Sequence, residues 1–155
     1  MTLDEGIRAH KAKDYKTAWT CFQANAALNN SGAKYWKGYY LWEGHGGYKD
    51  RELAAQLFKE AADEGVPDAQ LRYAFSLVEN KTKFNKEEFI KYLRLAAENS
   101  NPTAQFNLGD MYLNGKLGVP KDKELGIKYL KLAALNRHPK ANEVLKKMKV
   151  DIYSG

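Results

Sequence analysis

Three histidines, one cysteine and one glycine-rich tetrapeptide are the residues of this chain whose chemistry could reach beyond packing, and their spacing decides what each can do. His10, His45 and His138 have no second His, no Cys and no paired carboxylate three or four residues away. That is the offset that brings two ligands to one helix face, so no metal centre is expected. Cys21 is the only cysteine, which excludes an intramolecular disulfide framework and a thiolate zinc cluster. Its apolar helical offset between Ala18 and Phe22 reads as that of a buried thiol. Gly44-His45-Gly46-Gly47 could present successive backbone N–H groups to a phosphate. No strand precedes it and no Gly-Lys-Ser/Thr ending follows, so the expectation is a tight turn in which glycine permits positive φ. Catalysis needs a nucleophile with a base in reach, or two carboxylates in contrasting environments. The acids here fall mainly at exposed helix offsets, so no catalytic residue and no cofactor is expected, and the chain reads as a non-enzyme.

The elements that would position these residues follow from an internal repeat. Paired alanines stand at Ala61-Ala62, Ala96-Ala97 and Ala133-Ala134, with Asn25-Ala26 in the equivalent place, and Ala33, Ala69, Ala104 and Ala141 each fall eight residues past the first member of a pair. A step of 35 to 37 residues means stacked units, and small residues at one offset let backbones approach at the same point in each. Apolar residues recur at three- and four-residue steps, as in Leu53, Leu57, Phe58, Ala61 and Ala62, which is the helical period, and strict alternation of the strand kind is missing. With Gly and Pro as punctuation, helices are expected over 3–12, 15–28, 32–43, 50–63, 67–79, 86–99, 102–114, 122–136 and 139–150. The fold class is therefore all-α: a right-handed superhelix of about four helix-turn-helix units (1–30, 31–66, 67–101 and 102–138). A polar capping helix over 139–150 closes one domain spanning 1–150, with a short tail at 151–155.

The run Ala104-Gln105-Phe106-Asn107-Leu108-Gly109-Asp110-Met111-Tyr112-Leu113-Asn114-Gly115, followed by Gly118-Val119-Pro120-Lys121-Asp122 and Ala133-Ala134, resembles the Sel-one-like (SLR) repeat, a relative of the tetratricopeptide repeat. Residues 33–65 keep the same frame through Ala33, Gly38, Gly44, Gly46, Asp50, Ala54, Ala61-Ala62 and Gly65, although Lys37 and Leu41 stand where the family has Leu and Tyr. Residues 69–99 are a degenerate unit. The first 30 residues are similar to a tetratricopeptide unit through Gly6, Asp14-Tyr15-Lys16-Thr17-Ala18 and Phe22. The resemblance implies a scaffold that works by binding other proteins.

Where a partner would bind follows from helical offsets. Residues two, six and nine past the alanine that opens each unit should turn to the concave side, namely Tyr35, Tyr39 and Trp42, then Leu71, Phe75 and Val78, then Phe106, Asp110 and Leu113. A groove lined by Tyr35, Tyr39, Trp42, Leu71, Phe75, Phe106 and Asp110, with Glu43, Glu79 and lysines at its rim, would accept an extended peptide or an amphipathic helix of a partner protein. Trp36 and Tyr40 lie on another face and are expected to pack against the following helix. The formal charge of +6 would also suit a nucleic acid or another polyanion. Most lysines alternate with acids, however, as in Lys86-Glu87-Glu88, and the local excess is confined to Lys140, Lys146, Lys147 and Lys149, so protein is the favoured partner. No apolar run reaches the roughly 18 residues of a membrane helix, and Met1-Thr2-Leu3-Asp4-Glu5 lacks a signal-peptide pattern. No membrane insertion and a cytoplasmic location are expected.

Overall fold

The computed structural model describes residues 1–79 and 84–153. Among them there is no strand, and nine α-helices follow one another: α1 (Leu3–Lys11), α2 (Tyr15–Ala27), α3 (Ser31–Glu43), α4 (Arg51–Asp63), α5 (Pro67–Glu79), α6 (Lys86–Glu98), α7 (Pro102–Asn114), α8 (Lys123–Leu135) and α9 (Pro139–Lys147). A single 3₁₀ turn (Lys116–Gly118) lies between α7 and α8. The fold is the all-α repeat expected from the alanine spacing. The chain divides into two compact units, Met1–Ser76 and Leu77–Gly155.

Eight of the nine helix starts among the described residues carry a capping side chain. Side-chain oxygens of Thr2, Asp14, Asn30, Asp50, Asn85, Asn101 and Asp122 accept a hydrogen bond from the backbone N–H three residues on, and the imidazole of His138 does the same for Ala141. Those N–H groups would otherwise have no intrahelical partner. Pro102 and Pro139 open α7 and α9 at the one place where a missing N–H costs nothing. The paired-alanine helices end alike. Asn29, Gly65, Ser100 and Arg137 adopt positive φ, and the next N–H bonds back to the first residue of the pair, Asn30 to Asn25, Val66 to Ala61, Asn101 to Ala96 and His138 to Ala133, at 2.9–3.1 Å. This is the Schellman closure, and it places the pair at the same point of every turn.

In the first unit, Ala18, Phe22 and Tyr40 form a buried cluster joined by Leu3, Ile7, Tyr15, Trp19, Trp36 and Tyr39. Trp36 stacks on Phe22 of α2, with centroids 5.3 Å apart. Tyr40 packs on Phe22, Trp19 and Tyr15 of α2 and on His10 of α1. Both rings therefore meet the preceding helices and not the following one. The reason is that α4 takes the neighbouring side of α3, where Gly38 lets Phe58 come so close that a Cβ would stand 2.9 Å from its ring. Cys21 is buried; its Sγ donates to Thr2 O at 2.9 Å, which ties down the start of α1. In the second unit, Leu130, Ala133, Ala141 and Leu145 form the core with Phe106, Leu113, Ile127, Val144, Val150 and Ile152 packed around it. Val150 and Ile152 thus continue the cap past α9 into the expected tail, of which residues 154 and 155 lie outside the described residues.

Candidate partner-binding face

Helix α3 buries Ala33, Lys34, Gly38, Tyr40 and Leu41 and leaves Tyr35, Trp36, Tyr39 and Trp42 half-buried on the opposite side. In the same unit α5 buries Ala69, Gln70, Tyr73, Ala74 and Ser76 and leaves Leu71, Arg72 and Phe75 half-buried. The five residues expected there from offsets in the first unit, Tyr35, Tyr39, Trp42, Leu71 and Phe75, accordingly fall on one side of their helices. None is freely exposed. Tyr35 and Trp42 lean on Phe58 of α4 at 5.9 and 6.2 Å. Tyr39 leans the other way, on Trp36 at 5.8 Å, His10 at 5.9 Å and His45 at 5.7 Å.

Two arginines complete this face. The Arg72 guanidinium lies 4.9 Å from the centre of the Tyr39 ring, and Arg72 Nη1 stands 3.9 Å from Glu43 Oε1. Arg51 lies 4.5 Å over Trp42, and its Nε donates to Trp42 O at 3.4 Å. Burial raises the Tyr35 phenol above the ordinary range and the nearby Arg72 opposes that rise, so the hydroxyl stays protonated and can donate. A cation over an aromatic face is worth roughly 0.5–1 kcal/mol at such an exposed site. Its larger consequence is order, because ring and guanidinium hold each other in place before any ligand arrives. Neither arginine follows from the offset reading. Arg72 has a signal, though: it stands three residues past Ala69, as Trp36 stands three past Ala33, and Trp36 already turns toward the preceding helices.

In the second unit Phe106 is half-buried and stacks on His138 with centroids 4.5 Å apart and planes 5° apart. Asp110 is engaged locally, accepting from Lys116 Nζ and Asn114 Nδ2, each at 2.7 Å. Lys140, Lys146, Lys147 and Lys149 are exposed at the C-terminal end, and Lys146 and Lys147 occupy the last turn of α9, where cations favour the helix dipole. Of the loop Gly44–Gly47, Gly44 caps α3 at φ 86° and Gly47 lies at φ 103°, the turn role expected. His45 folds back to stack on Tyr15 at 4.6 Å. Among the described residues no group of three or more His, Cys, Asp or Glu could hold a metal ion, and no helix is long and apolar enough to cross a membrane.

The Sel1 repeat family model matches residues 25–66, 85–101 and 102–138. A Sel1 repeat protein from Oxalobacter formigenes is 29% identical and superposes with a TM-score of 0.84 over 97% of this chain and 64% of its own. A protective antigen present in uropathogenic Escherichia coli strains, with an SLR fold, is 30% identical at a TM-score of 0.84 over 94% of this chain and 32% of its own. DAP3-binding cell death enhancer 1 of Mus musculus is 36% identical over 73 residues, and that of Rattus norvegicus 34%; each match takes in 47% of this chain and 14% of the relative. The chain thus spans less than two thirds of the length of these relatives. The family match covers more than half of the sequence: the chain belongs to the Sel1 repeat family.

Proposed function

We propose that this chain is a non-catalytic, cytoplasmic scaffold whose α3–α5 face in the first unit receives an extended peptide or an amphipathic helix of a partner protein. The observation that carries this reading is the set of half-buried rings, Tyr35, Tyr39 and Trp42, with guanidinium groups laid over two of them. Tyr, Trp and Arg are the residues that dominate binding energy at protein interfaces. Rings already pinned by a neighbour lose little rotamer freedom when a partner covers them. Sel1 repeat proteins are in general interaction scaffolds, and the rodent relatives are named for binding DAP3, which favours a protein as the class of partner.

The test separates binding from stability. Tyr39→Ala and Trp42→Ala should each weaken the native partner, recovered by pull-down from source-cell extract, by about 2 kcal/mol or more. Unfolding in denaturant should move by about 1–2 kcal/mol, the scale of most single substitutions. Tyr40→Ala, at a position with no exposure, should instead cost about 3–5 kcal/mol of stability, as an emptied core site does. Full affinity with both Tyr39 and Trp42 truncated would remove the site from this face.

A second reading has an observation of its own. Residues 121–149 hold nine Lys and Arg against three Asp and Glu, so a polyanion such as a nucleic acid could bind through Lys140, Lys146, Lys147 and Lys149. Affinity for such a ligand would then fall along a steep logarithmic salt slope, which binding to the aromatic face would not show.

A further inference from the structure

His10 occupies the centre of a cluster that four segments build. From α1 its ring stands 5.0 Å from Trp36, 5.5 Å from Tyr40 and 5.9 Å from Tyr39 of α3, 5.7 Å from Tyr15 of α2, and 6.1 Å from His45 of the Gly44–Gly47 loop. Its Nδ1 is 2.8 Å from the Tyr40 hydroxyl. Burial, with the charges around it, pushes that phenol up to about 12, so Tyr40 O–H is the donor and Nδ1 the acceptor. This requires a neutral imidazole with its proton on Nε2. His45 in turn stacks on Tyr15 at 4.6 Å and sits 5.2 Å from Tyr40. The glycines on either side allow the loop this course: Gly46 packs on Trp19 where a Cβ would stand 2.7 Å from the indole.

The groups around His10 supply little to compensate a positive charge. From α2 they are Asp14 and Tyr15, from α3 Tyr39 and Tyr40, and from the loop His45. From α5 the Arg72 cation lies over the Tyr39 ring at 4.9 Å. The carboxylates nearby are engaged elsewhere: Asp14 caps α2, accepting from Thr17 N at 3.2 Å, and Glu43 stands 3.9 Å from Arg72. An imidazolium at His10 would stand 6.1 Å from the His45 ring with aromatic faces around it, and charging His10 turns its Nδ1 from acceptor to donor against a hydroxyl that was donating. Burial first, and His45 second, hold the His10 imidazole below the ordinary histidine range.

We propose that His10 is an acid-triggered latch: while neutral it accepts from Tyr40 and holds α1 and the Gly44–Gly47 loop against Tyr15, Tyr39 and Tyr40, and protonating it beside the His45 ring releases that junction. Tyr39 links the latch to the α3–α5 face, because His10 and His45 touch the ring that Arg72 covers. The latch itself does not depend on what that face binds. Neutral medium keeps α1 docked; mild acid, still above the carboxylate range, frees it.

The experiment is amide hydrogen exchange on the whole chain at pH 7.5 and pH 5.5, corrected for the intrinsic pH dependence of exchange, with no partner present. Protection of α1 and of residues 45–47 should fall by about tenfold or more relative to α6, as coupling of protonation to local opening requires. The His10→Gln, His45→Gln double variant keeps an acceptor for Tyr40 and leaves no histidine at this junction, so protection of α1 and of residues 45–47 should be the same at both pH values. Equal protection of the native chain at the two pH values overturns the latch, and so does an undiminished loss in the double variant. Should His10→Gln fail to fold, His45→Gln alone keeps the His10–Tyr40 bond and removes the ring that opposes a charge on His10. It must shrink the loss, and a loss of full size overturns the proposal.

Discussion

The α3–α4 pair of the first unit and the α7–α8 pair of the second hold the same place in the repeat and reach it by different chemistry. Both open with an asparagine cap, both end the first helix on a glycine in the left-handed region, Gly44 and Gly115, and both close their connection alike, Asp50 N bonding to Leu41 O and Asp122 N to Tyr112 O. The side chains between these fixed points differ. Gly38 makes room for the Phe58 ring and for Ala54 O, as Gly109 does for Leu130 and Gly126 O, but α8 adds a second glycine, Gly126, whose missing Cβ would stand 2.9 Å from Leu113 N. The lesson is that the repeat fixes where backbones turn and approach, and leaves the filling of the gap to each unit. That freedom extends to function, because all three tryptophans lie in residues 1–76, which hold ten Lys and Arg against ten Asp and Glu. Residues 77–155 hold fifteen against nine and therefore the whole formal charge of +6.

The sharpest way to break this comparison is to add a methyl group at each gap. A Cβ at Gly109 would stand 3.0 Å from Gly126 O as well as 2.8 Å from Leu130, and a carbonyl cannot rotate out of the way without moving its helix. Gly109→Ala or Gly126→Ala should cost about 3 kcal/mol or more in denaturant unfolding, at the upper end of overpacking. Gly38→Ala meets first the Phe58 ring edge, which can tilt, and Ala54 O only at 3.2 Å, and the gain of helix propensity on replacing glycine offsets part of the strain. About 1–2 kcal/mol is expected there. Equal costs at Gly38 and Gly109 would mean that the two pairs pack by one mechanism after all.

The paired alanines come next in size. Ala61 and Ala96 have no exposed surface and their carbonyls close the Schellman turns, so Ala61→Leu and Ala96→Leu must push neighbouring helices apart. Each should cost roughly 1–3 kcal/mol. An unchanged midpoint for both would refute the alanine register on which the unit boundaries rest.

These alanines were legible in the sequence because close approach admits so few residue types that the requirement leaves a periodic trace. Most helix starts were legible for the same reason, since a cap favours Asp, Asn, Ser or Thr at one position. What offsets do not carry is the identity of a neighbour. Trp36 and Tyr40 were placed on the correct kind of surface, a packed one, but against the wrong helix, because the helical period gives the direction of a side chain from its own axis and says nothing of which element stands there. The arginines over Tyr39 and Trp42 and the meeting of His10 with His45 were hidden more deeply. Each joins residues whose contact exists only after a loop has folded back, and no local spacing encodes that.

The smallest expected effect concerns a polar rung that both pairs possess. In α7–α8, Gln105 is buried; its Nε2 donates to Ala97 O at 3.0 Å and its Oε1 accepts from Asn136 at 2.9 Å. The corresponding rung in the first unit is charged. Lys34, equally one past the opening alanine, bonds to Glu64 and approaches Glu60 at 3.7 Å, while Ser31 Oγ donates to Glu64 at 2.7 Å. The ion pair holds Glu64 below the ordinary carboxylate range and Lys34 above the ordinary ammonium range. The sign follows from linkage: a carboxyl depressed in the folded state contributes its stabilisation above its unfolded pKa and loses it as pH falls through the folded value. Because a charged rung must desolvate its ammonium where an amide rung need not, the pair should gain little over the amide version at neutral pH. Lys34→Gln with Glu64→Asn should thus leave the unfolding midpoint at pH 7 nearly unchanged. The same double variant should flatten the acid limb of the stability profile contributed by Glu64, measured as denaturant midpoints between neutral pH and the carboxylate range. The reverse exchange, Gln105→Lys, places a charge opposite Asn136 with no carboxylate at that rung, and should cost more than Lys34→Gln does. Were Gln105→Lys as well tolerated as Lys34→Gln, the two rungs would be interchangeable by mere exposure, and their difference would carry no energetic content.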